Sequence, residues 1–255
     1  MRHFFILDST ISVMEKQDKL FEEGNVSGLP FSFNQEVTEV FEDMIDRSVP
    51  GYTTSLNIIQ QQTKQFFKEE TNIYDLGCSL GASTIALLNA VHGNSKIIAI
   101  DSSESMIKAC QNRFKEQIKA DQVNFLNEDI LESEIKNASV VVINFVLQFL
   151  KIGDRSELLR KIYKGLIPGG ILILSEKVHF NSQRKTEEMS EIYHSFKSIN
   201  GYSELEISSK RDALEGFLVT ETEDQHLARA KYSGFKNPDK LMSNLNFLTY
   251  KFIKR

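Results

Sequence analysis

The stretch IYDLGCSLGAST, residues 73–84, decides the fold class. An apolar run reaches Gly77, a second glycine follows at position 81, and a helical pattern continues from Ser83. Strand, glycine turn and helix in this order are typical of nucleotide-binding α/β proteins, because the turn leaves backbone N–H groups free for a ligand. The glycine spacing does not match the G-x-G-x-x-G of dinucleotide enzymes, so the pattern predicts another nucleotide.

Outward from this stretch, apolar runs alternate with helical patterns. Strands are predicted at 72–77, 96–103, 123–130, within 138–150, and at 171–176. Strands without polar alternation that are separated by helices predict a mostly parallel sheet covered on both faces. Two late runs, around 240–243 and at 244–255, have no helix between them and predict an antiparallel C-terminal hairpin. The pattern therefore favours a Rossmann-like α/β sheet of the methyltransferase type, rather than the flavodoxin type.

The domain organisation follows from where this alternation holds. Residues 1–32 have weak periodicity and end in turn-forming residues, so we interpret them as an N-terminal extension. Residues 33–255 are predicted to form a single ligand-binding α/β domain. The helical segments 34–67 and 177–230 interrupt the alternation, and we expect them to cap the ligand as a lid.

Composition narrows the function classes. The chain has 255 residues, 41% of them apolar, and a net charge of −5, which favours no stable direct contact with nucleic acid. No apolar run is long enough to span a membrane, and the opening residues do not resemble a signal peptide. Two cysteines are too few for a disulfide scaffold, so free thiols in the cytoplasm are predicted.

Polar residues follow four of the predicted strands. Because ligands bind beyond the carboxyl ends of the strands in open α/β sheets, these residues are candidate ligand contacts. Asp101 stands where a carboxylate would accept from two ribose hydroxyls, and Asp129-Ile130 suits an adenine ring and its amine. Asn144 follows the fourth strand. With no phosphate-binding motif, the set predicts a nucleoside without phosphates, S-adenosylmethionine, although Asp101 and Asp129 could instead cap local structure.

Other chemistries find little support. The five histidines have no metal-ligand spacing, so no metal site is predicted. No G-x-S-x-G motif is present. Cys78 lies beside the glycine turn but has no histidine near it in sequence, so packing is favoured over nucleophilic catalysis.

Six stretches together resemble the carboxy-S-adenosyl-L-methionine synthase family within the class I methyltransferase superfamily. The resemblance covers the chain from about Phe33 almost to its end. Its specific parts are RSVPGY and NGYSELEISSKR, which general methyltransferases lack. The stretches are FEDMIDRSVPGY, YDLGCSLGAST, KIIAID, NASVVVINFVLQFL, KIYKGLIPGGILILSEK and NGYSELEISSKR.

The resemblance implies an activity. Family members convert S-adenosylmethionine and prephenate to carboxy-S-adenosylmethionine and phenylpyruvate. Their product supplies the carboxymethyl group that a separate enzyme adds to a wobble uridine in tRNA. Members are typically homodimers, so the resemblance implies a homodimer in the cytoplasm.

The resemblance also implies site residues. Arg211 matches the arginine that binds the added carboxylate, and Tyr52 and Arg211 are the candidate catalytic residues. Where the family has IDNS this chain has IDSS, so Ser102 replaces an asparagine and keeps only its backbone contact. The cofactor contacts carried over by motif are Tyr52, Gly77, Cys78, Ser79, Asp101, Ser102, Asp129, Ile130, Asn144 and Arg211.

Two alternatives remain open from the sequence. One is an ordinary methyltransferase that acts on a small molecule or RNA and needs no prephenate. The other is a non-catalytic protein that binds S-adenosylmethionine and assists a tRNA-modifying enzyme.

Overall fold

The structure is a computed structural model and describes residues 17–22 and 31–255. Most of the predicted N-terminal extension lies outside the described residues. The short described piece of it is packed against the domain, since Asp18 and Phe21 are both buried. Asp18 accepts a hydrogen bond from the Tyr202 hydroxyl at 2.7 Å.

Helices and strands alternate through the chain. The helices are α1 (Gln35–Ser48), α2 (Tyr52–Phe66), α3 (Ala82–Leu88), α4 (Glu104–Arg113), α5 (Lys115–Lys119), α6 (Ile152–Gly165), α7 (Gln183–Ile199), α8 (Glu204–Leu214) and α9 (Glu223–Tyr232). The strands are β1 (Asn72–Leu76), β2 (Lys96–Asp101), β3 (Val123–Asn127), β4 (Ala138–Asn144), β5 (Leu166–His179), β6 (Glu221–Thr222), β7 (Lys236–Asn244) and β8 (Phe247–Ile253).

The sheet has the order β3-β2-β1-β4-β5-β8-β7, with β6 paired to the end of β5. Strands β1 to β5 are mutually parallel, whereas β8 runs antiparallel to both β5 and β7. The predicted methyltransferase-type sheet and its C-terminal hairpin are therefore confirmed. The order reverses between β1 and β4, which is where open α/β sheets bind their ligands.

The central strands are buried because helices cover both faces. In β4, Val140 and Val142 belong to the core beneath α2 and α3, while Val141 and Ile143 belong to the core on the opposite face. Each of these four side chains has no exposed surface. This two-sided burial explains why the predicted strands carried no polar alternation.

A tight turn joins α1 to α2. The Asn34 side chain caps α1 by accepting from the Val37 N–H at 3.0 Å. Gly51 adopts a left-handed conformation with φ +79°, and α2 begins directly afterwards. The helix starts at Tyr52, so this tyrosine lies in its first turn.

The segment 177–230 leaves the sheet and returns to it. It contains the end of β5, the helices α7 and α8, the short strand β6 and most of α9. A capping box starts α8, with Ser203 and Glu206 each satisfying the other's backbone N–H. None of the helices in residues 17–22 and 31–255 combines the length and apolar character needed to cross a membrane.

Candidate active site

The glycine turn after β1 is tied to the neighbouring strand. The backbone N–H groups of Gly77 and Cys78 both donate to the Ile100 carbonyl, at 2.8 and 3.0 Å. Gly77 has φ +77°, and a Cβ on it would lie 2.5 Å from Cγ2 of Val146. Only glycine fits here. The expectation of free N–H groups is wrong for Gly77 and Cys78, because the neighbouring strand already accepts from both.

Asp101 links the glycine turn to the start of α4. Its Oδ2 accepts from the Ser79 N–H and its Oδ1 from the Ser103 N–H, each at 2.9 Å. Burial raises the pKa of this carboxyl, although both hydrogen bonds oppose the shift. The capping alternative is partly realised, since Asp101 does contact the first turn of α4. Each oxygen retains a lone pair, however, so the carboxylate can still accept from a ribose diol.

Asp75 lies beneath the turn and is 1% exposed. Its Oδ2 accepts from the Thr84 hydroxyl at 2.6 Å. Burial, partly offset by this hydrogen bond, raises its pKa to about 7. Asp75 therefore braces β1 against α3.

The adenine candidates lie beyond β3. Asp129 is exposed, and its Oδ1 accepts from the Leu131 N–H at 2.8 Å. Ile130 is buried, with 6% of its surface exposed. Ser102, which replaces the family asparagine, is exposed after β2. The structure brings these residues to the same edge of the sheet as Asp101.

Asn144 ends β4 with an unsatisfied acceptor. Its Nδ2 donates to the Ser83 hydroxyl at 3.3 Å, whereas its buried Oδ1 has no partner among the described residues. A buried carbonyl without a donor costs about 1–3 kcal/mol, so a donor from a bound molecule would relieve this cost. The site thus contains a polar atom placed to receive a ligand.

Tyr52 approaches the site from α2. Its ring lies 6.3 Å from that of Phe145, the residue after Asn144. Burial raises the pKa of its phenol well above the usual value, with the carboxylates of Asp75 and Glu42 adding to the shift. The phenol stays protonated and can donate a hydrogen bond, but it cannot act as a base near neutral pH.

The cysteines have packing roles. Cys78 and Cys110 are both free thiols and both buried, as predicted. Burial raises the pKa of Cys78, which disfavours the reactive thiolate. Cys110 donates to the Ser79 carbonyl at 3.1 Å and so supports the turn from α4.

Arg211 lies in the last turn of α8. Its side chain is 63% exposed and contacts Asp212 at 3.3 Å. Its charge contributes to lowering the pKa of Lys197 and of His194, so it faces the C-terminal half of α7. Apart from this exposed pair with Asp212, the guanidinium can engage an anion brought to that side.

The sequence analysis missed a cationic group at the end of β5. Lys177 on β5 and Lys197 on α7 both lie over the ring of Tyr193, with each ammonium within 4.5 Å of the ring centroid. Lys177 did carry a signal in the sequence, because it directly follows the predicted strand at 171–176, as the other candidates follow theirs. Lys197 and Tyr193 gave no such signal.

Comparison with known proteins places the chain in a family. A family model described as "Methyltransferase domain" matches residues 74–172. A carboxy-S-adenosyl-L-methionine synthase of Ruthia magnifica is 41% identical over 239 residues, which is 93% of this chain and 100% of that protein. The synthase of Shewanella sediminis is 43% identical over 93% of this chain and 98% of its own length.

The chain belongs to the carboxy-S-adenosyl-L-methionine synthase family.

The family resemblance inferred from the six stretches is confirmed, and this chain spans the relatives almost from end to end. Solved structures agree on the fold. A putative O-methyltransferase from Nostoc punctiforme has a TM-score of 0.61 at 13% identity, covering 92% of this chain and 67% of that one. Human N-acetylserotonin methyltransferase in complex with SAM has a TM-score of 0.59 at 15% identity, covering 86% of this chain and 55% of its own. This chain spans only about half of the human enzyme, and at these identities the solved structures show a shared fold alone.

Proposed function

We propose that the protein converts S-adenosylmethionine and prephenate to carboxy-S-adenosylmethionine and phenylpyruvate. The observation that carries this proposal is the end-to-end match to the synthase of Ruthia magnifica, at 41% identity over that protein's full length. The product would supply the carboxymethyl donor for wobble uridine modification in tRNA. As in the family, the enzyme is expected to be a cytoplasmic homodimer.

The strand-end residues divide the work of holding S-adenosylmethionine. Asp101 accepts from the ribose hydroxyls, Asp129 takes the adenine amine, and Ile130 covers the adenine ring. The unpaired Oδ1 of Asn144 accepts a hydrogen bond from the amino-acid part of S-adenosylmethionine. The support for this arrangement is geometric, since β1 to β4 deliver these residues to one edge of the sheet. The glycine turn brings the backbone at Gly77, Cys78 and Ser79 close to the ligand, while its N–H groups hold the turn by donating to the Ile100 carbonyl and the Asp101 carboxylate.

The reaction requires a carbanion next to the sulfonium. Loss of a methyl proton gives an ylide, which attacks carbon dioxide and forms the new carboxymethyl group. Prephenate supplies the carbon dioxide as its ring carboxylate leaves, and the released electron pair expels the ring hydroxyl as hydroxide. Hydroxide takes the methyl proton and becomes water, so charge and atoms balance. Water or other acids must stay outside until the carbon–carbon bond has formed.

The protein's own groups suit a base supplied by the substrate. Tyr52 is held as a neutral phenol, and Asp75 is buried and engaged by Thr84. Neither is placed to remove a methyl proton. We assign the helical segments 34–67 and 177–230 the role of a lid that excludes water. Residues 33–255 then form the ligand-binding domain, and residues 1–32 are an extension of it.

Incubation with S-adenosylmethionine alone is expected to give no product, whereas adding prephenate should give equal amounts of carboxy-S-adenosylmethionine and phenylpyruvate. Mass spectrometry of the nucleoside, with absorbance of phenylpyruvate, measures both products. Replacing prephenate with phenylpyruvate is the control, because it lacks the leaving carboxylate. Methyl transfer to RNA or to a small acceptor without prephenate would establish the ordinary methyltransferase instead. Binding without any conversion would establish the non-catalytic protein.

Arg211→Ala is expected to weaken the binding of carboxy-S-adenosylmethionine roughly thirty- to a thousand-fold and the binding of S-adenosylmethionine only slightly. A guanidinium can bind the added carboxylate through two parallel hydrogen bonds, and only the carboxylated molecule has this group. The measurement is the ratio of the two dissociation constants by calorimetry. Arg211→Lys should restore part of the ratio, because a point charge cannot form both bonds. An unchanged ratio in Arg211→Ala would remove Arg211 from the site.

A further inference from the structure

Two lysines on different elements converge on one aromatic ring. The Lys177 ammonium lies 4.5 Å and the Lys197 ammonium 4.4 Å from the centroid of Tyr193. Lys177 also lies 5.8 Å from the centroid of Phe247. The Tyr193 hydroxyl donates to the Ser48 carbonyl at 2.7 Å, which fixes the ring between α7 and the end of α1.

Among the described residues, these ammonium groups have no counter-charge. Within residues 17–22 and 31–255, neither Lys177 nor Lys197 forms a side-chain hydrogen bond or an ion pair, although Lys197 is only 7% exposed. Lys210 nearby differs, because it reaches the Ser48 hydroxyl at 2.9 Å and the Asp18 carboxylate at 3.8 Å. A buried cation without an anion is costly, so the pair is suited to an anion from outside.

Burial lowers the pKa of both groups. Burial lowers the pKa of Lys177 to about 8. Burial, followed by the charges of Lys177, Lys210 and Arg211, lowers that of Lys197 to about 7. An anion bound between the two lysines would offset both costs at once.

The register of the sheet places this group beside the proposed ligand site. Asn144 pairs with Ser175 across β4 and β5. Lys177 is two residues further along β5, so its side chain shares the face of Ser175 and lies roughly 7 Å beyond it. Val142 and Ile173 on this same face pack beneath α2 and α3, which bring Tyr52 and the glycine turn to the edge.

A series of rings connects the two regions. Tyr52 lies 6.3 Å from Phe145, Phe145 lies 5.7 Å from Phe247, and Phe247 lies 5.5 Å from Tyr193. This series of rings, which we call the aromatic path, runs from the S-adenosylmethionine contacts to the two lysines. Phe145 and Phe247 are buried, with 8% and 3% exposed. The partly exposed rings of Tyr52 and Tyr193 at its two ends therefore offer apolar contact to a six-membered carbon ring placed between them.

We propose that Lys177 and Lys197 bind the pyruvyl carboxylate of prephenate, with the prephenate ring lying along the aromatic path. This assignment rests on the proposed function. Prephenate carries two carboxylates, and only the one on the ring is lost. A cation paired with the ring carboxylate would stabilise it against leaving as neutral carbon dioxide. The lysines therefore hold the carboxylate that remains in phenylpyruvate.

The test measures binding to protein loaded with S-adenosylhomocysteine, which has no methyl group to react. Lys177→Gln and Lys197→Gln should each weaken the binding of both prephenate and phenylpyruvate by about ten- to a hundred-fold, because one charge-assisted contact is lost. Calorimetry measures both affinities. The affinity for S-adenosylhomocysteine should stay unchanged, which also shows that the variants are folded. Lys197→Met, which keeps a long side chain without the charge, should behave as Lys197→Gln.

The matched control is Lys185→Gln. Lys185 is also on α7 and lies 4.4 Å from the Phe180 centroid, but it is exposed at the other end of the helix. It should leave both affinities unchanged. If the variants lose prephenate affinity but keep phenylpyruvate affinity, the lysines contact the ring carboxylate and the assignment is wrong. Unchanged affinity for both ligands also overturns it. Wild-type protein that neither binds nor converts prephenate would refute the proposed function itself.

Discussion

Asp101→Ala is expected to weaken S-adenosylmethionine binding by about 2–4 kcal/mol, or roughly thirty- to a thousand-fold. The substitution removes a charged acceptor that can take two ribose hydroxyls. It also removes the acceptor for the Ser79 N–H, which helps to hold the glycine turn in place. Both losses act on the same ligand, so the effect on affinity should exceed that of any other single strand-end residue. Calorimetry with S-adenosylmethionine measures it.

Ser103→Ala is the control that separates binding from capping. Ser103 accepts from the Met106 N–H at 3.4 Å as the N-cap of α4, and it contributes no carboxylate. Its loss should cost about 1 kcal/mol of stability and leave ligand affinity nearly unchanged. If Asp101→Ala gives that same result, with affinity intact, Asp101 is a structural residue and the ribose assignment fails.

Glu221→Gln is expected to lower the free energy of unfolding by about 3–5 kcal/mol, because it leaves two buried guanidinium groups without their anion. Glu221 lies 2.5 Å from Arg155, whose side chain has no exposed surface, and it also pairs with Arg229, which is 7% exposed. Burial alone would raise the pKa of Glu221, but Arg229 and Arg155 outweigh burial and lower it below its ordinary value. The carboxylate therefore remains charged. Urea unfolding at neutral pH measures the loss.

The matched control is Glu134→Gln. Its pair with Lys136 is exposed, at 71% and 68% of the two side chains. Removing such a surface pair should change stability by less than about 1 kcal/mol. A similar small loss in Glu221→Gln would mean that the carbonyls around Arg155, including those of Leu150 and Val219, satisfy the guanidinium without the carboxylate.

The sheet could be predicted from the sequence because its signals are local. Each central strand is an apolar run between turn residues, and burial on both faces leaves no other way to place it. Once the strands are parallel, their carboxyl ends share one edge, so Asp101, Asp129 and Asn144 could be grouped without coordinates. The antiparallel hairpin was likewise indicated by two late runs with no helix between them. Family membership followed from the stretches RSVPGY and NGYSELEISSKR.

Only the tertiary structure decided which distant residues meet. Lys177 lies on a strand and Lys197 on a helix, and nothing local in either stretch shows that both approach Tyr193. The same is true of Arg155 and Glu221, whose pairing joins α6 to β6. The tertiary structure also showed that Asp101 holds the glycine turn by accepting from the Ser79 N–H. The physical reason is that periodicity records which face of an element is buried, whereas contacts between side chains on separate elements depend on how those elements pack.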